Sequence, residues 1–69
     1  MIKFNLKVKL AEKEINQKTF SKLTGIGENS ITRYVNGSFI KIDKDHLEKM
    51  CKFFECDISE IIKYVPDEE

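Results

Sequence analysis

The residues best suited to specific chemistry form a polar run in the middle of the chain. The run carries a carboxylate, an amide, two hydroxyls and a guanidinium, on Glu28, Asn29, Ser30, Thr32 and Arg33. The guanidinium of Arg33 can donate two hydrogen bonds to the acceptor edge of guanine, and the amide of Asn29 can pair in the same way with adenine. The carboxylate of Glu28 can accept from the amino group of cytosine, although nearby phosphate would repel it. We therefore expect base contacts from the run; the alternative is an ordinary solvent-facing helix surface.

Polar residues on either side of the run are suited to phosphate oxygens. Helix starts and loop amides offer unpaired N–H groups, and a helix N-terminus has a positive partial charge. We expect phosphate contacts from the start of the preceding helix and from the loop after the run, at Asn16, Gln17, Lys18, Asn36, Ser38 and Lys41. For Asn16 and Asn36 the alternatives are a helix cap and a turn former, and each role can coexist with phosphate binding.

Two short helices joined by a tight turn must position these groups. Asn16 is a suitable cap for a helix that runs to about Thr24, and Gly25 can adopt the left-handed conformation that ends it. The next helix begins around Glu28 and stops at Asn36-Gly37. Helices that meet at a sharp angle across a short glycine-containing turn form a helix-turn-helix. The inward-facing positions expected to join the two helices are Phe20, Thr24, Ile26, Ile31 and Tyr34.

The rest of the pattern predicts an all-α fold, a compact bundle of about five short helices around this pair. Asn5 can cap a first helix, and Asp43 can cap a fourth. Asp57, followed three residues later by Glu60, resembles a capping box that starts a fifth helix. Pro66 would end that fifth helix.

The two ends of the chain and one loop complete the expected fold. Residues 2–4 and 63–65 can pair as a short terminal β ribbon, and residues 67–69 form a solvated tail. The stretch 38–42 is predicted to be a loop anchored by Phe39, Ile40 and Ile42. Residues 1–69 are thus expected to form a single domain.

Composition limits the classes of function. Residues 1–41 contain eight basic and three acidic residues, whereas residues 42–69 contain four basic and nine acidic ones, so the zero net charge conceals a basic half. That half contains the predicted helix-turn-helix, which suits a phosphate-rich partner. The sequence has no leader-like segment or long apolar run, so we expect a cytoplasmic protein without a membrane segment.

Neither metal binding nor catalysis is expected. Cys51, Cys56 and His46 are too few for a four-ligand zinc site, and we interpret the cysteines as small hydrophobic residues placed too far apart along a helix for easy bridging. His46 has no nucleophile to pair with and is assigned no special role. The chain lacks a phosphate-cradling glycine loop. Tyr34 and Phe39 are expected to pack in the core, and neither a cofactor nor a small-molecule ligand is expected.

The stretch from Gln17 to Gly37 resembles, without a gap, the helix-turn-helix of the lambda-repressor-like (Cro/repressor) family. Residues 45–58 are similar to the fourth helix of its small single-domain members from bacteria and mobile elements, and the whole resemblance covers residues 5–65. It implies that the third helix enters the major groove and that the protein regulates transcription, most simply by repression. Two positions depart from the family pattern: Ser21 replaces the preferred alanine, and Gly27 replaces the serine or threonine that usually caps the third helix.

A homodimer is expected because one small domain makes few contacts with DNA, whereas a dimer can occupy two half-sites about one helical turn apart. Candidate interface residues lie in the apolar C-terminal half, at Phe53, Ile58, Ile62, Tyr64 and Val65; the terminal ribbon is another candidate, and completion of the core is the alternative. A different function also fits the zero net charge and Glu28: a protein-interaction module, such as an antitoxin or accessory factor, with weak or no DNA binding.

Overall fold

The computed structural model describes residues 1–66, which form four α-helices and a two-stranded ribbon. The elements in chain order are β1 (Ile2–Phe4), α1 (Leu6–Lys13), α2 (Gln17–Thr24), α3 (Glu28–Asn36), α4 (Lys44–Phe54) and β2 (Ile62–Tyr64), with a 3-10 turn at Ile58–Glu60 before β2. The predicted solvated tail at residues 67–69 lies outside the described residues. Within the described part, the longest helix has 11 residues, and none is long and apolar enough to cross a bilayer.

The expected fifth helix is wrong, and a single 3-10 turn takes its place. Asp57 Oδ1 accepts a hydrogen bond from the N–H of Ile58 at 2.9 Å, as at a helix start. The Glu60 carboxylate does not complete a capping box, because it accepts instead from Lys9 Nζ on α1 at 3.0 Å. The chain then extends into β2, so Pro66 follows a strand and does not end a helix.

The predicted ribbon between the two ends of the chain is confirmed. β1 and β2 are antiparallel, with Phe4 opposite Ile62, and β2 begins one residue earlier than expected. Below this pair, the N–H of Asn5 donates to the carbonyl of Ile61 at 2.6 Å. The ring of Phe4 stacks on Tyr34 of α3 with centroids 4.6 Å apart, so the ribbon is packed against the helix that bears the polar run.

The predicted caps of α1 and α4 have different outcomes. Asp43 caps α4 as expected, since its Oδ1 accepts from the N–H of Asp45 at 2.8 Å. Asn5 occupies the capping position of α1, but its side chain makes no capping hydrogen bond. Its Nδ2 donates instead to the carbonyl of Glu60 at 3.4 Å. The Asn5 amide therefore joins α1 to the segment before β2.

The core is formed by nine buried side chains drawn from all four helices, the helix-turn-helix turn and the segment before β2. They are Leu6, Leu10, Phe20, Ile26, Ile31, Tyr34, Met50, Phe54 and Ile61. Phe20 of α2 stacks on Phe54 of α4, with centroids 5.3 Å apart. Because full burial of one such side chain stabilises the fold by about 1.5–3 kcal/mol, these contacts are a major source of the stability of α2 and α3.

His46 joins α4 to α3, a role that the sequence analysis did not assign. The N–H of Asp43 donates to the phenol oxygen of Tyr34 at 3.3 Å, and that phenol lies 2.7 Å from His46 Nδ1. With the imidazole proton on Nε2, the phenol donates to Nδ1. Tyr34 also makes an edge-to-face contact with Phe39, with centroids 5.8 Å apart, so the expected packing roles of these two aromatic residues are confirmed.

Candidate nucleic-acid interface

The start of α2 and the turn after it are fixed by the side chain of Asn16 and the backbone conformation of Gly25. Asn16 has an extended backbone, and its side chain accepts from the N–H of Thr19 at 2.8 Å, which confirms the predicted cap of α2. Gly25 ends α2 with φ +81°, in the left-handed region that a side chain makes costly. A Cβ at Gly25 would come within 3.9 Å of Lys49 Nζ alone, so backbone conformation rather than space requires glycine here.

Two hydroxyls of α2 fix the turn. Ser21 Oγ donates to the carbonyl of Ile26 at 2.6 Å, and the Thr24 hydroxyl accepts from the N–H of the same residue at 3.2 Å. The Thr24 hydroxyl also donates to the carbonyl of Phe20 at 2.7 Å. The serine that departs from the family pattern therefore makes a hydrogen bond that alanine lacks, and Ile26 can be fully buried without leaving its backbone polar groups unpaired.

The start of α3 presents unpaired backbone donors. Gly27 occupies the capping position without a side-chain oxygen, and the first helical hydrogen bond runs from the N–H of Ile31 to its carbonyl at 3.1 Å. Helix geometry leaves the N–H groups of residues 28–30 without intrahelical acceptors. These groups and the positive end of the helix dipole favour a negative partner, and they also stabilise the carboxylate of Glu28.

The polar run lies on the outer face of α3. Glu28, Asn29, Thr32 and Arg33 are exposed and Ser30 is half-buried. The opposite face of the helix is fixed in the core by Ile31 and Tyr34, of which 0% and 4% is exposed. Anchoring one face in this way holds the other at a defined orientation to solvent.

The cations of the helix-turn-helix are unpaired among residues 1–66. The salt bridges described there lie outside residues 17–37; they include Lys9–Glu60 at 3.0 Å and Lys49–Asp45 at 3.2 Å. The hydrogen bond to Glu60, helped by nearby negative groups, raises the pKa of Lys9 above its usual value. Lys18 and Arg33 have no such partner in the part of the chain that the structure describes, so their charges are available there to an anionic ligand.

A hydrogen bond joins the start of α2 to the middle of the polar run. The hydroxyl of Thr32 donates to Oε1 of Gln17 at 3.0 Å. This contact fixes the Gln17 amide group and leaves its two N–H donors directed elsewhere. The structure thus joins Gln17, which is expected to contact phosphate, to Thr32, which is expected to contact bases. The spacing of the residues in the sequence did not predict this hydrogen bond.

The loop after α3 folds back on Arg33. Gly37 has φ +80°, and the N–H groups of Gly37 and Ser38 both donate to the carbonyl of Arg33, at 2.9 and 3.0 Å. Arg33, Ser38 and Lys41 then line one open hollow of about 360 Å³. Ile40 also lines it and is 96% exposed, so the prediction that Ile40 anchors the loop is wrong.

The remaining predicted phosphate residues lie on the surface at both ends of the helix-turn-helix. Asn16 and Lys18 are exposed and Gln17 is half-buried at the start of α2, and Asn36 is exposed at the end of α3. The structure therefore brings Arg33, Ser38 and Lys41 together around one hollow, while Gln17 of the α2 group contacts the polar run at Thr32.

Comparison with known proteins agrees with this geometry. The family model of the Cro/C1-type HTH DNA-binding domain matches residues 5–67. A crystal structure from Bacteroides fragilis, provisionally described as a DNA-binding protein, is similar to this chain with a TM-score of 0.75 and 27% sequence identity. The match covers 91% of this chain and 100% of that one. A search of curated proteins finds no significant match.

Proposed function

Because the chain belongs to the Cro/C1-type helix-turn-helix DNA-binding family, we propose that it recognises specific sites in double-stranded DNA and represses transcription by occupying promoters. The observation that supports this most strongly is the polar run on the outer face of α3, held in place by a buried inner face. Lys18 and Lys41 beside it form no salt bridge with residues 1–66, which leaves their charges for a polyanionic partner.

In the proposed complex α3 lies in the major groove. Arg33 reads guanine and Asn29 reads adenine, each by two hydrogen bonds worth about 1–3 kcal/mol of discrimination. Glu28, Ser30 and Thr32 make adaptable contacts, with Glu28 accepting from a cytosine amino group. The hydroxyl proton of Thr32 is already donated to Gln17, so in this proposal Thr32 acts mainly by positioning Gln17 and adds little to base reading.

Phosphate contacts on two sides of the groove set the register of α3. The free N–H donors of Gln17 meet one strand at the start of α2, with Asn16 and Lys18 beside it. On the other side, the hollow next to Arg33 brings Ser38 and Lys41 to the second strand, with Asn36 at the helix end. Such contacts position a protein on the duplex without reading its sequence.

We further propose that a homodimer binds DNA, because specific complexes bury about 1,000–2,500 Å² of protein surface and a single small domain supplies less. Of the candidate interface residues, Tyr64 and Ile58 are 66% and 42% exposed, whereas Phe53, Ile62 and Val65 are half-buried. Ile2 lies opposite Tyr64 and is 43% exposed. The ribbon end therefore offers adjacent apolar side chains to a second copy.

Selection from genomic fragments followed by footprinting tests DNA recognition. The purified protein should enrich a two-fold-related site and protect it from cleavage. Affinity should fall with added salt along a log–log slope of about −0.9 for each phosphate neutralised. Failure to enrich any sequence, or affinity that does not depend on salt, would contradict the proposal.

A protein-interaction module is the second candidate. Leu23 on α2 is 62% exposed and lies in an open hollow with Phe53, Lys49 and Lys52 of α4. This partly apolar surface fits a protein partner better than a phosphate backbone. Substitution Leu23→Ser separates the two functions, because it should abolish a protein complex and leave DNA affinity unchanged.

A further inference from the structure

The two cysteines lie at the end of α4, in a geometry that brings positions 51 and 56 together. The helix ends at Phe54, and Glu55 turns into the left-handed conformation with φ +53°. The N–H groups of Glu55 and Cys56 both donate to the carbonyl of Cys51. The bond from Cys56 to Cys51 is the six-residue hydrogen bond of the Schellman motif, in which the side chains at these two positions are frequently in contact. The expectation that the cysteines are separated along a helix is wrong, because the helix ends before Cys56.

The backbone hydrogen bond limits the separation of the two cysteines. The Cys56 nitrogen lies 3.1 Å from the Cys51 carbonyl oxygen. Adding the standard bonds from that oxygen back to Cα of Cys51, and from the nitrogen to Cα of Cys56, gives a Cα–Cα separation of at most about 7 Å. Because the path is bent, the real separation is shorter than this limit, which lies just above the usual range of about 4.4–6.8 Å for disulfides.

The surroundings of the pair leave both thiols able to reach solvent. Both cysteines are free and half-buried. Burial raises the pKa of the Cys51 thiol, and the charge of neighbouring Cys56 raises it further.

We propose that Cys51 and Cys56 form a dithiol site that a low-molecular-weight disulfide, of the glutathione disulfide class, oxidises to an intramolecular disulfide across the end of α4. One cysteine thiolate attacks the small disulfide, whose S–S bond breaks to release one small thiolate. The second cysteine loses its proton and attacks the mixed disulfide, releasing the other small thiolate. Two protein thiols are thereby oxidised and one small disulfide is reduced to two thiols.

The new bond closes a short loop and removes conformational freedom from the unfolded chain. α4 packs on α2 through Phe54 and Phe20, so the crosslink fixes the end of a helix that supports the helix-turn-helix. We expect the thermal midpoint of unfolding to rise by about 9–18 °C on oxidation, the shift that loop-closure entropy gives for a loop of about six residues in a domain of this length. The site does not depend on the proposed DNA-binding function.

Incubation of the full chain with oxidised glutathione tests the site. The oxidised product should be a chain without intermolecular disulfides that is lighter by two hydrogen atoms, lacks alkylatable thiols, melts at higher temperature and reverts with dithiothreitol. The variants Cys51→Ser and Cys56→Ser should instead each retain a single glutathione adduct. If serine unfolds the half-buried position 51, Cys51→Ala makes the same comparison.

Three results would overturn the proposal. Stable attachment of two glutathiones to the wild-type chain would show that the sulfurs cannot meet. Disulfide-linked dimers as the main product would show that the thiols face other molecules. Retention of both thiols under conditions that oxidise a free cysteine peptide would show that the folded chain does not react.

Discussion

Replacing Thr32 with valine tests how the start of α2 cooperates with the polar run. Valine keeps the shape of threonine but removes the hydroxyl that donates to Gln17 Oε1 at 3.0 Å. Because Gln17 is half-buried and Thr32 is exposed, water replaces the lost partner in the free protein. We therefore expect the free energy of unfolding to fall by no more than about 0.5 kcal/mol, the low end for a hydrogen bond.

The effect of Thr32→Val on DNA affinity should be larger than its effect on stability. In the variant, the Gln17 side chain must be ordered when it meets phosphate, and ordering one flexible side chain costs about 0.5–1.5 kcal/mol. This corresponds to a loss of roughly two- to tenfold in affinity. Since Gln17 is proposed to contact phosphate, the loss should be similar on specific and random duplexes.

A double-mutant cycle separates positioning from base reading. In a Gln17→Ala background, Thr32→Val should have almost no further effect, because the group that it positions is absent. Thr32→Ser retains the hydroxyl and serves as the matched control with near wild-type affinity. Fluorescence anisotropy of labelled duplexes at fixed salt measures all four combinations. Additive losses confined to the specific duplex would refute positioning and assign Thr32 to base contact.

Three further substitutions test other contacts. Arg33→Ala should lower the affinity for the specific site by about 1–3 kcal/mol and relax sequence selectivity, whereas Lys18→Ala should lower the affinity for all duplexes similarly. Equal losses on specific and random DNA in gel shifts for Arg33→Ala would contradict its role in base reading. Gly27→Ser should raise the free energy of unfolding by about 0.5–1 kcal/mol in urea titrations, because φ is −61°, an added Cβ meets nothing within 4 Å and the hydroxyl can cap α3. Gly27→Ala lacks that oxygen, and alanine is a poorer cap than glycine, so it should be less stable than Gly27→Ser; a serine variant no more stable than the alanine variant would contradict the argument. Tyr34→Phe should lower the free energy of unfolding by about 1–2 kcal/mol, because His46 loses its partner; an unchanged urea midpoint would show that water replaces the phenol without cost.

The helix-turn-helix was predictable because its boundaries depend on local chemistry. Asn16 caps α2 through the N–H of Thr19, three residues away, and Gly25 and Gly37 adopt the left-handed conformations that end α2 and α3. Each of these interactions involves residues close in sequence. The periodic burial of Ile31 likewise follows from helical spacing alone.

The wrong predictions concern side chains that form contacts with residues distant in the sequence. Glu60 had the right spacing from Asp57 for a capping box, but Lys9 on α1 takes its carboxylate. His46 was given no role because its partner, Tyr34, lies on another helix. Spacing within one segment cannot reveal such contacts, since they depend on how the helices pack.

The burial of loop residues is difficult to predict from the sequence for a related reason. Ile40 was expected to be buried because it is apolar, yet it is 96% exposed beside Arg33 and Lys41. Its neighbour Phe39 takes the inward position and packs on Phe4, with centroids 5.1 Å apart. Without a regular period, hydrophobicity alone does not decide which of two adjacent residues faces the core.

The zero net charge of the chain is only a weak argument against DNA binding. Charges that form salt bridges within the fold attract an external ligand less than unpaired charges do. Glu60 and Asp45 of the acidic half form salt bridges with Lys9 and Lys49. Among residues 1–66, no acidic side chain forms a salt bridge with Arg33 or with the other cations of α2 and α3. A duplex phosphate within about 8 Å experiences mainly these nearby unpaired charges, since physiological salt screens more distant ones. The field at the proposed interface is therefore set by the contacts of the fold, and total charge alone cannot distinguish the DNA-binding function from the protein-interaction one.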